Sequence, residues 1–439
     1  MEQLTLGLVA AAALLIVALA TRPRAVDMIV IGLPVAGVLG GAAVEANISP
    51  ADIFLPFALL TIVSKASSRK ASSVTSAGFA KWVSYICVMS VVLLGGLSVR
   101  LLVDPLGISF GYGVAAVAKI WVGLTYLAVF AYYGRGLFAG GGDRLLALWA
   151  RVASVAALAG IAGVGLYAAG VPTTLTLSFR ATGGFDDPNL YASYLLVSIS
   201  LTFAAGARGV VRYPVRLVAL QSVALALSGS RAAIPALALG VLSALALGRG
   251  RLVAKTIFRW VLLLTLGVGV AAWRFPSLLG LDAFSRAVDA SGNAENDIRF
   301  LLWRTAYNMW LDHPILGIGI GQFIPTSADY VPGGLSNIPH NTHLSLLAET
   351  GLLGWMLVIG LPVVIFVRLS GLAKRTADPT PTWLILGIVS ALAMAFTLNL
   401  ENFRGLWALL GICLAYCSVM RADRAHDERP VARGERLSR

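Results

Sequence analysis

The side chains best able to do chemistry collect in one stretch of this sequence. Between Arg274 and Gly351 stand Arg286, Arg299, Trp303, Arg304, Trp310, Asp312, His313, Gln322, Tyr330, Asn337, His340, Asn341, His343 and Glu349. Its sharpest part runs Pro339-His340-Asn341-Thr342-His343 and on through a leucine-rich segment to Gly351 and Gly354. Leu344, Leu347 and the later leucines predict an amphipathic helix that starts near Asn341 and breaks at Gly351. His340 then stands at or just before a helix N-terminus. The positive end of a helix favours the neutral imidazole, the form that accepts a proton as a general base. His343 is expected to be a structural, hydrogen-bonded histidine. His340 and His343 also form an H-x-x-H pair, but zinc needs a third ligand, and Glu349 lies two turns further on, poorly spaced for it. No metal or other cofactor is expected.

The arginines of the same region suit an anionic ligand, because guanidinium is planar, always charged and matched to phosphate. Residues Arg299 to Trp310 have helical spacing, with Leu302, Ala306, Met309 and Trp310 as an apolar stripe and Arg299 and Arg304 projecting from other positions. Asp312-His313-Pro314 ends that helix, and Gly317 to Phe323 follows as a flexible link. The G-x-G within it lacks the strand and helix of a dinucleotide site. Arg231 follows Ser228-Gly229-Ser230 between two apolar runs. That turn is too short for a solvated loop, so Arg231 sits at the membrane interface, where an anion-binding role outweighs simple snorkelling. Arg180 precedes a glycine-rich turn and Asp186-Asp187-Pro188-Asn189. Asp187 or Asn189 is placed to cap the following helix, with Arg180 as a ligand contact and Asn189 in support. Near the end of the chain Glu401 is expected to pair with Arg404, which gives Arg404 a supporting place.

The elements that must position these groups are apolar. The chain has 439 residues, 58% hydrophobic and only 13% charged, with a mean hydropathy of +0.82. Soluble domains carry about a quarter charged residues, so a cytosolic globular enzyme, a disordered chain and a disulfide-stapled secreted domain are all excluded. Cys87, Cys413 and Cys417 fall in apolar runs and suggest neither disulfides nor a metal knuckle. A membrane-spanning helix needs about 20 apolar residues. Runs near that length occur at 4–20, 28–44, 51–66, 82–102, 114–134, 146–170, 189–207, 214–229, 231–248, 259–273, 352–372, 383–398 and 405–420. The first, without a basic start and with another span directly after it, is not a cleavable signal peptide.

The net charge of +13 is a topological signal, and no nucleic-acid partner is expected. Lysines and arginines mark every second connector, which makes those connectors and the basic tail cytoplasmic. Connectors 45–50, 103–113, 171–188, 228–231, 274–351 and 399–404 face the other side. Arg180, Arg231, Arg299, Arg304 and Arg404 lie there against the charge rule, and an anionic ligand supplies a reason. The expected architecture is an all-α polytopic membrane protein with about 12 (12–13) transmembrane helices. It divides into an N-terminal transmembrane bundle over 1–273, a large external loop with helices over 274–351, C-terminal transmembrane helices over 352–420 and a basic cytoplasmic tail over 421–439. A transporter is the rival class. Transporters put polar groups at midplane on broken helices, often in repeats; this sequence shows no such repeat between its halves.

His340-Asn341, nine residues, then Gly351 and Gly354 resembles the H-[NSQ]-x9-G-x-x-G pattern of the O-antigen ligase family. Phe185-Asp186-Asp187-Pro188-Asn189-Leu190-Tyr191-Ala192, Ser228-Gly229-Ser230-Arg231 and Asp312-His313-Pro314-Ile315-Leu316-Gly317-Ile318-Gly319 agree with it. The resemblance covers roughly 180–420 and implies a GT-C-type fold with one large periplasmic loop, in the bacterial inner membrane. It implies an inverting, metal-independent glycosyltransferase with its active site facing the periplasm. The donor would be an undecaprenyl-diphosphate-linked glycan, the acceptor a sugar hydroxyl of lipid A–core, and the product lipopolysaccharide. By position His340 would be the base, and Arg231 with Arg299 or Arg304 would hold the diphosphate. O-antigen polymerases and protein O-oligosaccharyltransferases share the pattern. The short basic tail and the lack of an R-x10-G spacing from Arg274, Arg286, Arg299 or Arg304 favour the ligase over both.

Overall fold

The computed structural model describes residues 24–35, 49–68, 85, 88–98, 102, 109–138, 144–248, 251–274, 294–331 and 337–427. The first apolar run, Cys87, Arg286 and the end of the basic tail lie outside them. In chain order the helices are α1 (Ala25–Gly32), α2 (Leu55–Ser68), α3 (Val88–Ser98), α4 (Phe110–Phe138), α5 (Arg144–Ala168), α6 (Pro188–Ala207), α7 (Pro214–Leu227), α8 (Ala233–Leu247) and α9 (Arg251–Arg274). They continue with α10 (Ala294–Asp312), α11 (Phe323–Tyr330), α12 (Thr342–Arg375), α13 (Thr380–Met394) and α14 (Arg404–Asp427). Every apolar run from 28–44 onward meets one of these helices. Five helices are long and apolar enough to cross a bilayer by themselves: α4, α5, α6, α12 and the Arg404–Arg421 part of α14. Shorter apolar helices of 10–17 residues pack among them. The one departure from an all-helical chain, among the described residues, is a two-stranded antiparallel hairpin, β1 (Thr176–Leu177) with β2 (Arg180–Ala181), which pairs Leu177 with Arg180.

Small residues set the helix crossings, as expected where lipid removes any hydrophobic preference for one apolar face over another. The most extensive contact is α14 along α4. There Gly123 faces Trp407, Gly134 faces Ala415, and Gly411 lies against the Leu127 carbonyl, each without room for a Cβ. On the other side of the bundle α13 packs on α6 and α8, with Gly387 against Ser200 and Gly240 against Ser390. A polar pin crosses the core where Gln221 Nε2 on α7 donates to Thr202 Oγ1 on α6 (3.1 Å).

The contacts sort the connectors into two sets. At one end Asp52 pairs with Arg404, Arg180 bonds Ser228, Ser109 bonds Gln322, and Asn341 bonds Asn399. All of these residues fall in or beside connectors read as non-basic. At the opposite end Arg135 Nε donates to Ser418 Oγ (3.3 Å), Tyr416 donates to Asp378 (2.9 Å), and Arg208 lies over the Phe138 ring. The charge alternation thus matches a physical separation into two polar ends. Replacing Gly411 with Leu drives a side chain into the Leu127 carbonyl, so it should cost about 1–3 kcal/mol and lower the thermal midpoint of detergent-solubilised protein. Gly136→Leu, at a position with open space, should leave that midpoint nearly unchanged.

Candidate functional site

The site is built on a break in α12. Gly351 leaves the helix with φ 61° and ψ −166°, a left-handed conformation that glycine adopts without penalty. The break frees backbone groups on both sides, and the segment 314–319 takes them up. Ile318 N donates to the Ala348 carbonyl (2.8 Å) and Gly319 N to the Glu349 carbonyl (3.0 Å), while Leu352 N and Leu353 N donate to the carbonyls of Pro314 (2.9 Å) and Ile315 (3.3 Å). A Cβ on Gly351 would strike the Ile315 backbone, and one on Gly317 would strike the Glu349 backbone. The Gly317–Phe323 stretch, expected to be a flexible link, is therefore a packed backbone splice; its glycines serve close approach. Glu349 tightens it by accepting from Phe323 N at the start of α11 (3.0 Å).

The first half of α12 aims back at His340. Asn341 is the N-cap, its side chain accepting from Leu344 N (3.1 Å), so the helix begins where the leucine pattern put it. His340 precedes it with φ 48°, a left-handed conformation uncommon outside glycine, though less so for histidine. It is pinned on both sides. Trp303 Nε1 donates to the Pro339 carbonyl (2.8 Å), and Asn341 N donates to Asn399 Oδ1 (2.9 Å). Thr342 Oγ1 closes the corner, donating to the Leu398 carbonyl (2.7 Å) and accepting from Leu400 N (2.8 Å). Trp355 Nε1 donates to His343 Nδ1 (3.2 Å) and Phe396 packs against the ring, while His343 Nε2 is buried without a hydrogen-bond partner among the described residues. Among the described residues no group of three or more His, Cys, Asp or Glu side chains is placed to hold a metal ion.

The two loop arginines divide. In α10, Leu302, Ala306 and Met309 are buried, packed with Ile318, Phe323, Val331 and Ala348. At about 100° per residue, Arg299 and Arg304 stand about 140° apart around the helix. Arg299 falls on the flank of Trp303, which holds the segment before His340. Arg304 is exposed on another face.

Arg180 and Arg231 form a second assembly. Arg180 Nε donates to the Ser228 carbonyl (2.8 Å) and its Nη2 to Asn189 Oδ1 (3.0 Å). The helix cap itself is Asp187, which accepts from Asn189 N (2.6 Å) and Leu190 N (3.0 Å). Arg180 thereby ties the hairpin and α6 to the 228–231 turn, where Ser228 Oγ accepts from Ser230 N (3.3 Å). The turn presents exposed Arg231 just before α8, so the cation and a helix N-terminus favour the same anion. Arg231 has no hydrogen-bond or ion-pair partner among the described residues, and Ser230 Oγ beside it is buried and unpaired there.

Arg404 corrects an expectation. Its ion pair is with Asp52 (2.7 Å), 352 residues away in sequence, and Glu401 takes its hydrogen bond from Asn399 Nδ2 (3.0 Å). Asp52 also accepts from Tyr126 OH (2.7 Å) and from Ser49 N (2.8 Å), so Arg404 locks the short Pro50–Phe54 turn before α2 to α4 and α14. Sequence reasoning missed Asp52, Asn399 and Lys119. Lys119 lies within an apolar run, where an ionisable side chain is a signal in itself. Asp52 opens another such run. Asn399 carried no local signal at all.

Burial pushes the Glu401 carboxyl above its ordinary range, and Asn399, Thr342 and Lys119 pull it part way back. A carboxyl with a raised folded-state pKa binds its proton more tightly when folded. The associated stability is present below the unfolded value of about 4.3 and is lost as pH rises through the folded one. Glu401→Gln should therefore gain stability relative to wild type as pH rises from about 4, read as thermal midpoints across a pH series. Asp52→Ala leaves Arg404 partly buried without its carboxylate and should cost about 3 kcal/mol, read by the same melting measurement.

Fold and site together define a class: a helical membrane protein whose polar and basic side chains gather at one end of the bundle, around a spliced helix break. Residues 217–359, about a third of the chain, match the family model described as O-antigen ligase. The matched residues take in Arg231, Arg299, Arg304, His340 and the Gly351 break; Arg180, Asn189 and Arg404 lie outside them. Among curated proteins nothing matches the chain.

Proposed function

We propose that this protein is an O-antigen ligase of the bacterial inner membrane, an inverting GT-C-type glycosyltransferase with its site facing the periplasm. The donor is a glycan on undecaprenyl diphosphate and the acceptor a sugar hydroxyl of lipid A–core. The observation that carries the reading is His340, a strained residue fastened on both sides just before a helix N-terminus, inside the family segment. Strained backbone of this kind costs of order 1–3 kcal/mol and persists where the surroundings enforce it.

In the proposed reaction the acceptor oxygen attacks the anomeric carbon of the donor as His340 takes its proton. The bond from that carbon to the diphosphate breaks, and undecaprenyl diphosphate leaves with the electron pair. A positioned base typically contributes 10²–10⁴-fold. Arg231 and Arg299 meet the charge that develops on the leaving diphosphate, which lowers the barrier when they bind the transition state more strongly than the ground state. Arg180, with Asn189, holds the turn that presents Arg231. Asn341 caps the helix behind the base, and His343 braces it against Trp355. No divalent metal is assigned a part.

The test is a reconstituted assay with lipid-linked O-antigen and rough lipopolysaccharide. Transfer should survive a chelator, and loss of transfer in chelator would overturn metal independence. His340→Asn should lose at least about 100-fold in transfer while melting like wild type, because asparagine tolerates the left-handed backbone. Full activity in that variant would overturn the base assignment. Extension of the lipid-linked glycan in place of the lipopolysaccharide would make the enzyme a polymerase.

A further inference from the structure

The outer face of α10 has no role in the reaction above, yet it is not the face of a water-soluble loop. Phe300, Tyr307 and Leu311 are 63%, 47% and 54% exposed. With exposed Arg304 they occupy positions that fall within about 60° of one another around the helix. The buried set of Leu302, Ala306 and Met309 lies on the opposite side. Ile315, 63% exposed, continues the stripe past the end of the helix. A helix that is apolar on both sides is out of place in water.

The stripe does not end in solvent. Ile315 is spliced to Leu353 and Pro314 to Leu352 through backbone bonds. Leu352, Leu353 and Met356 are themselves exposed on the half of α12 that enters the membrane. The apolar surface of the loop and the lipid-facing surface of the spanning helix are therefore continuous across the Gly351 break. Aromatic rings and an arginine on such a surface suit the headgroup level of a bilayer, where rings sit at the boundary and the cation meets phosphate.

We infer that α10 lies in the membrane interface, with Phe300, Tyr307, Leu311 and Ile315 seated in bilayer lipid and Arg304 among the lipid phosphates. The occupant of this face is bilayer phospholipid. This needs only that α12 enters a bilayer and is independent of the proposed reaction. It makes the 294–315 part of the loop a membrane-bound platform for the His340 side of the site.

The test is spin labelling of the full chain in phospholipid vesicles that contain no glycan donor, with Cys87, Cys413 and Cys417 replaced by alanine. Single labels go at 300, 307, 311 and, on the flank, 308. Labels at 307 and 311 should collide more with oxygen than with a water-soluble nickel chelate, as a label at 356 should, and label 308 should be shallower than 307. Higher nickel access at 307 and 311 would overturn the inference, as would dipolar coupling between labels on two copies. Should the cysteine-free chain fail to fold, benzoylphenylalanine at 307 in the native sequence reads the same contact. A phospholipid adduct is expected, and a peptide adduct or none would overturn the proposal.

Discussion

The arrangement depends on satisfying backbone groups where a helix breaks at the edge of a membrane. Lipid offers no hydrogen bonds, so an unpaired peptide group there costs several kcal/mol. The chain resolves this at Gly351 by laying a second strand of backbone, 314–319, against the break. Everything nearby follows from that splice. It joins the loop to the spanning half of α12, seats α10 and α11 on the first half, and aims the helix start at His340.

The site is held by bonds between elements distant in sequence, which lets a loop hold a strained residue in one position. His340 is not fixed by its own helix alone. Trp303 holds the residue before it, and Asn399 the residue after it. Asn399 in turn donates to Glu401 and Ser345. The connector carrying Asn399 and Glu401 ends at Arg404, which Asp52 anchors to the front of the bundle. The position of His340 thus traces back to residue 52 through a chain of polar contacts at one end of the membrane domain.

Arginines that look equivalent in sequence have different work. Arg404 is a structural tie, Arg180 holds a turn, and Arg231 stands exposed at a helix start beside an unpaired buried hydroxyl. Arg299 and Arg304 share a helix but not a face. A count of basic residues on the unexpected side of the membrane could identify the group. It could not separate a ligand contact from a fastener.

Hydropathy, charge periodicity and residue pattern were enough to determine the helical membrane class, the separation of the connectors into two ends, the helix start near Asn341 and the break at Gly351. Each is a local property, written in a run of apolar residues, a cap residue or a glycine. The tertiary structure alone decided that Arg404 pairs with Asp52, that Asn399 holds Asn341, that Lys119 lies near Glu401, and that the glycines at 317 and 319 form a splice. These contacts join positions tens to hundreds of residues apart, and nothing in the local pattern of one partner specifies the other. They form only when helix packing brings the connectors of one end together.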